Sequence, residues 1–105
     1  MLVAFSVSPA TQDQTGSVHD AVAAAVQVVR DSGLPNSTDS MFTTIEGSWD
    51  ECMAVVKQAC EVVGRFGPRV SLVLKADIRP GYSGEITGKV ERLEAVLNRG
   101  APPNA

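Results

Sequence analysis

An α+β fold of the ferredoxin-like kind, βαββαβ with a helix appended at the C-terminus, is predicted for this 105-residue chain by three features. Residues 2–8 and 70–78 alternate with the period of two that marks a half-buried strand. Two segments, starting near residues 18 and 49, carry apolar stripes at helical spacing and run into Gly33 and Gly67. Between those helices lie two short extended segments, which gives the order of a split βαβ unit. At this length the chain forms one domain, and residues 1–99 are assigned to it. The closing "GAPPNA", residues 100–105, reads as a frayed tail.

The elements follow in order. In the first strand Val3, Phe5 and Val7 share one face, and Leu2, Ala4, Ser6 and Ser8 the other. "PATQDQTG" is a polar loop and Ser17 a plausible N-cap. Val18, Val22, Ala25, Val26 and Val29 form the stripe of the first helix. "LPNSTDS" holds Pro35 among turn formers, so a strand there is short and lies at a sheet edge. "MFTTIEG" is a better strand, with Met41, Thr43 and Ile45 on one face and Phe42, Thr44 and Glu46 on the other. Ser48 and Glu51 have the spacing of a capping box, which starts the second helix near Trp49. Its stripe is Cys52, Val55, Val56, Ala59, Val63 and Phe66. In "RVSLVLKADI" the core set is Val70, Leu72, Leu74, Ala76 and Ile78. After "RPGYSG", Ile86, Val90, Leu93 and Leu97 recur at i, i+4, i+7 and i+11, predicting the last helix.

Composition narrows the function. A formal charge of −3 and a pI near 5.0 disfavour phosphate backbones, and 5% aromatic residues supply few base-stacking platforms. Nucleic acid is not an expected partner. The apolar opening is too short to span a bilayer and no basic segment precedes it, so it reads as a strand and not as a signal peptide. The two cysteines, Cys52 and Cys60, fall eight residues apart on one helix, a rise of about 12 Å. That exceeds the reach of a disulfide. Reduced, buried thiols in a cytoplasmic protein are the expectation.

Two helices cover one face of such a sheet, and the alternation collects Ser6, Ser8, Thr44, Glu46, Lys75 and Asp77 on the other, beside Leu2, Phe42 and Val73. A surface mixing apolar groups with both charge signs suits a partner layer, and a second copy is the simplest one. Glu46 and Asp77 would there either pair with Lys75 or hold a basic ligand.

"VAFSVSP", "MFTTIEGSWDECMAVVKQA" and "RVSLVLKADIR…GKVERLE" together resemble the small thiamine-binding protein family over nearly the whole chain. The resemblance implies a ferredoxin-like fold, assembly into dimers or tetramers through the sheets, and non-catalytic binding of thiamine or its hydroxymethylpyrimidine moiety, as carrier or sensor. It points to Ser6, Ser8, Thr43, Thr44, Glu46, Lys75, Asp77 and Arg79 as ligand-binding residues. Phe42 stands where the family usually has glycine, and Ile78 where it usually has a second acid. Phe42 would narrow the pocket or stack on a ligand ring. Glu46 would accept from the aminopyrimidine, with the Ser and Thr hydroxyls completing the contacts.

Other readings have less support. His19 is the only histidine, and its neighbour Asp20 cannot face it on a helix, so no catalytic triad is expected. One histidine and two distant thiols make no metal site, and no cofactor is expected beyond the ligand itself. "GEITGKV" is one residue short of a phosphate loop and has Val90 where a hydroxyl is needed. Trp49 is expected to anchor the start of the second helix. The competing function is a structural or regulatory oligomer with no small-molecule ligand, and a membrane partner is not expected.

Overall fold

β1 (Leu2–Pro9) runs through the middle of the sheet. The order β2-β3-β1-β4 places β3 (Thr43–Glu46) on one side of it and β4 (Val70–Asp77) on the other, with β2 (Asn36–Thr38) at one edge. Every neighbouring pair is antiparallel. The helices are α1 (Val18–Asp31), α2 (Trp49–Val63) and α3 (Glu85–Gly100), and a single 3-10 turn, Gly64–Phe66, follows α2. This computed structural model describes residues 1–10 and 18–100. Most of the expected polar loop, the Ser17 cap and the tail beyond residue 100 lie outside the described residues. The α+β class, the four-stranded antiparallel sheet and the element order are consistent with a ferredoxin-like fold.

α1 and α2 pack on each other and on the central β1. The core they enclose is built from Val3, Phe5 and Val7 of β1, Ile45 of β3, Ala21, Ala25 and Val29 of α1, and Cys52, Val55, Val56, Ala59 and Val63 of α2. The α2 stripe is as the periodicity requires. Its capping box is complete: the Ser48 hydroxyl accepts from the Glu51 N–H at 3.2 Å, and the Glu51 carboxylate accepts from the Ser48 N–H at 2.9 Å. The α1 stripe is rotated from the expected one. Ala21 replaces Val18 and Val22, which are exposed, because a face of two alanines lets the helix approach its neighbours closely. Gly33 follows α1 with φ +77°, the left-handed position at which a helix can be closed.

Two strands differ from expectation. β3 begins at Thr43, not Met41, because the Asp39 carboxylate accepts from the backbone N–H groups of both Met41 and Phe42 at 2.8 and 2.9 Å. That Asx-type turn bends the chain away from the sheet and leaves Met41 72% exposed instead of packed. β4 is an edge strand that the helices, centred on β1, cover only in part. Leu74 and Ala76 pack against the core, while Val70, Leu72 and Ile78 of the expected core set are exposed.

Candidate functional site

β3 pairs only with Leu2–Phe5 of β1, so from Ser6 onward β1 has no strand on that side. The gap between β1 and the 39–42 turn is a cavity of about 170 Å³. Because it wraps round a strand edge, side chains of both faces reach it. Ser6 and Ser8 come from the open face, Phe5 and Val7 from the core face, and Val22, Ala25 and Val26 from α1. Thr38, Asp39, Ser40, Met41, Phe42 and Thr43 complete the wall. The Thr38 and Thr43 hydroxyls lie 3.3 Å apart. The N–H of Phe42, and next that of Met41, hold the Asp39 carboxyl below the usual carboxylate range, so it is charged at neutral pH. An apolar wall, several hydroxyls and one fixed carboxylate form a set that can hold a flat ring with polar edges.

Glu46 has a different occupation. It is 7% exposed, and its two carboxylate oxygens accept from the backbone N–H of Glu85 at 2.9 Å and of Ile86 at 3.2 Å. α3 starts just after Gly84, which has φ +67° and no side-chain oxygen to offer the first N–H groups. Glu46, 39 residues earlier, supplies that acceptor, and its charge suits the positive end of the helix. Gly88 N–H to Gly84 C=O at 2.9 Å closes the first turn. Glu46 also borders an open groove of about 580 Å³ with Met1, Tyr82 and Ile86, yet its hydrogen bonds are committed to the helix.

The rest of the expected set is dispersed. Asp77 pairs with Lys89 of α3 at 2.6 Å rather than with Lys75, and this contact holds its carboxyl below the usual range. Lys75 is exposed on the open face. Thr44 lies under α3, in a hollow shared with Leu2, Ser37, Ile86 and Lys89. The Arg79 guanidinium sits over the Tyr82 ring, 3.7 Å from its centroid. Trp49 does not anchor α2. It is 55% exposed, in a shallow hollow with Met1, Ile78 and Tyr82. Of the nine expected residues, then, Ser6, Ser8, Phe42 and Thr43 meet in one cavity, Thr44, Glu46 and Asp77 receive α3, and Lys75 and Arg79 stand apart. The sequence reading missed Thr38, Asp39 and Ser40 as wall residues. Their signal was the cluster of turn formers in "LPNSTDS", which marked a bend but not what the bend would enclose.

A four-stranded sheet with two helices on one face and a third pinned to the other defines the structural class, and relatives share it. The family model described as "Thiamine-binding protein" matches residues 3–94. A UPF0045 protein of Mycobacterium bovis is 52% identical over 100 residues, 94% of this chain and 96% of that one. Among solved structures, a domain of unknown function from Bacillus cereus superposes with a TM-score of 0.76 at 32% identity, covering 87% of this chain and 86% of its own. A protein of Thermotoga maritima, described as a candidate thiamine biosynthesis/salvage protein, superposes with a TM-score of 0.73 at 28% identity, covering 88% and 96%. The chain belongs to the thiamine-binding protein family.

Proposed function

We propose that this protein binds thiamine through its hydroxymethylpyrimidine moiety, or that moiety alone, without catalysis, as a carrier or sensor in a homo-oligomer. The observation that carries the reading is the convergence of Ser6, Ser8, Phe42 and Thr43, residues far apart in sequence, on the notch beside β1. Family membership supports the ligand class. The cavity, at about 170 Å³, is smaller than the roughly 300–1,000 Å³ of sites for drug-sized ligands. It suits one ring, so the pyrimidine enters and the thiazolium stays at the mouth. Asp39 Oδ1 takes both backbone N–H groups, and Oδ2 is the acceptor for the exocyclic amine or a protonated ring nitrogen. The hydroxyls of Ser6, Ser8 and Thr38 give or take the remaining hydrogen bonds, and the Phe42 ring packs on the pyrimidine face.

Calorimetric titration with thiamine and with hydroxymethylpyrimidine tests this. Saturable binding of both, weakened by about tenfold or more in Asp39→Asn through loss of a charge-assisted hydrogen bond, is expected. No heat from either ligand at millimolar concentration, with the fold intact by circular dichroism, would sink the reading.

A further inference from the structure

We propose that the hollow between the start of α2 and the turn after β4 binds a small planar aromatic carboxylate, at a site separate from the notch. The chain has one tryptophan and one tyrosine, and both line this hollow, with Ile78 and Arg79 beside them. The three phenylalanines are buried or half-buried, whereas Trp49 is 55% and Tyr82 49% exposed. Local sequence puts each there. Trp49 is the first residue of α2, directly after its Ser48 cap. "RPGY", residues 79–82, has proline second and glycine third, with φ +84° at Gly81, as a type II turn requires. The Tyr82 N–H donates to the Arg79 carbonyl at 3.3 Å and closes that turn. Its first and fourth residues thereby become neighbours, and the Arg79 guanidinium sits over the Tyr82 ring, 3.7 Å from its centroid.

The ring orients the guanidinium and leaves its edge unused. None of its N–H donors meets a protein acceptor among the described residues. The acids that feel its charge are committed elsewhere, Asp77 to Lys89 and Glu85 to Arg92. A planar fork of this kind pairs with a carboxylate through two parallel hydrogen bonds, and the aromatic contact has already removed part of the freedom that binding would cost. Trp49 and Ile78 supply an apolar platform for a ring attached to that carboxylate. The hollow, about 230 Å³, has room for one ring with its acid group and is smaller than the sites of drug-sized ligands. No second cationic side chain lines it among the described residues, so a single negative charge fits better than a phosphate dianion. Thiamine is the wrong occupant here, because Arg79 repels its thiazolium cation. The hollow and the notch share no lining residue. Met1 borders one and Ser8 the other, roughly 20 Å apart along β1.

A single tryptophan gives a single indole N–H signal in the ¹⁵N spectrum of the full chain, and that signal reports on this hollow alone. Benzoate is the probe, with benzamide as its uncharged counterpart of the same shape. Benzoate is expected to shift the Trp49 indole signal saturably at millimolar concentration or below, and benzamide to bind at least tenfold more weakly. Arg79→Gln, at an exposed position, should keep its circular dichroism and lose the preference for benzoate. Tyr82→Leu should narrow that preference, since the guanidinium then has no ring to orient it. Equal binding of benzoate and benzamide, or no indole shift at millimolar benzoate, would overturn the proposal. An indole signal that moves on dilution of the protein but ignores benzoate would overturn it too, by showing a second copy over the hollow. Hydroxymethylpyrimidine should leave the Trp49 signal in place, and benzoate those of Ser6 and Ser8, so this site and the ligand notch succeed or fail separately.

Discussion

Glu46 illustrates how a side chain's role is decided by where its hydrogen bonds go. At the end of a β-strand, on the face away from the core, a glutamate reads as an available carboxylate. Glycine at the position preceding α3 leaves the first N–H groups of that helix without a local acceptor, and Glu46 meets them from across the sheet. Removing it in Glu46→Ala is expected to cost about 1–3 kcal/mol, through two unmet donors and a lost charge at the helix start. Denaturant unfolding measures that loss. Pyrimidine binding in the notch, which shares no partner with Glu46, should stay within about twofold. Ionisation offers a second residue-scale test. The carboxyls of Asp39, Glu51, Asp77 and Glu85 all lie below their ordinary values, held by the N–H groups of Phe42 and Met41, by Ser48, by Lys89 and by Arg92 respectively. A depressed folded value means that the stabilisation is complete above the unfolded value and is lost as pH falls through the folded one. Melting temperature should therefore change little between about pH 7 and 5 on account of these groups and decline below about pH 4.

At the scale of elements, legibility followed the strength of the local signal. α2 was readable because a capping box, a long apolar stripe and a Gly-Pro stop all agree, and its start was placed at the residue where it begins. Ser48→Ala should lower stability by about 1 kcal/mol, a loss visible in chemical denaturation. Both thiols lie on this helix, Cys52 buried and Cys60 partly so, and burial pushes both above the ordinary thiol value. Labelling with a thiol reagent at neutral pH should be slow in the native protein and rapid in denaturant. β3 was misplaced at its start because alternation alone cannot see that Asp39 will take the N–H groups of Met41 and Phe42. β4 was readable as a strand but not in its exposure. Its apolar alternation is that of a covered strand, whereas its place at the sheet edge depends on pairings far apart in sequence. The candidate site suffered most. Faces of strands are legible from parity, and that placed Ser6 and Ser8 together. That β3 stops pairing at Phe5, opening a notch to both faces, is a tertiary fact.

Across the whole molecule the proportions are extended. The radius of gyration is 16.7 Å, against about 13 Å for a compact chain of this length, and the extents of 55 × 33 × 19 Å are those of a flat body with an arm. In the single chain Val90, Leu93 and Leu97 of α3 and Val73 of β4 are each more than half exposed. The candidate notch lies at the opposite side of β1 from β4, built by β1, the 39–42 turn and α1 within one chain. Substitutions on the exposed face of α3, which lies outside this notch, should leave the proposed pyrimidine binding within about twofold, as a titration would read. No helix of the described residues is long and apolar enough to cross a membrane. The most direct test of the central claim is a titration of ¹⁵N-labelled protein with hydroxymethylpyrimidine, following backbone amide shifts. The account predicts saturable shifts concentrated at Ser6, Val7 and Ser8 and from Thr38 to Thr43. Shifts centred instead on Thr44, Glu46, Lys75 and Asp77, or none at saturating ligand, would contradict it.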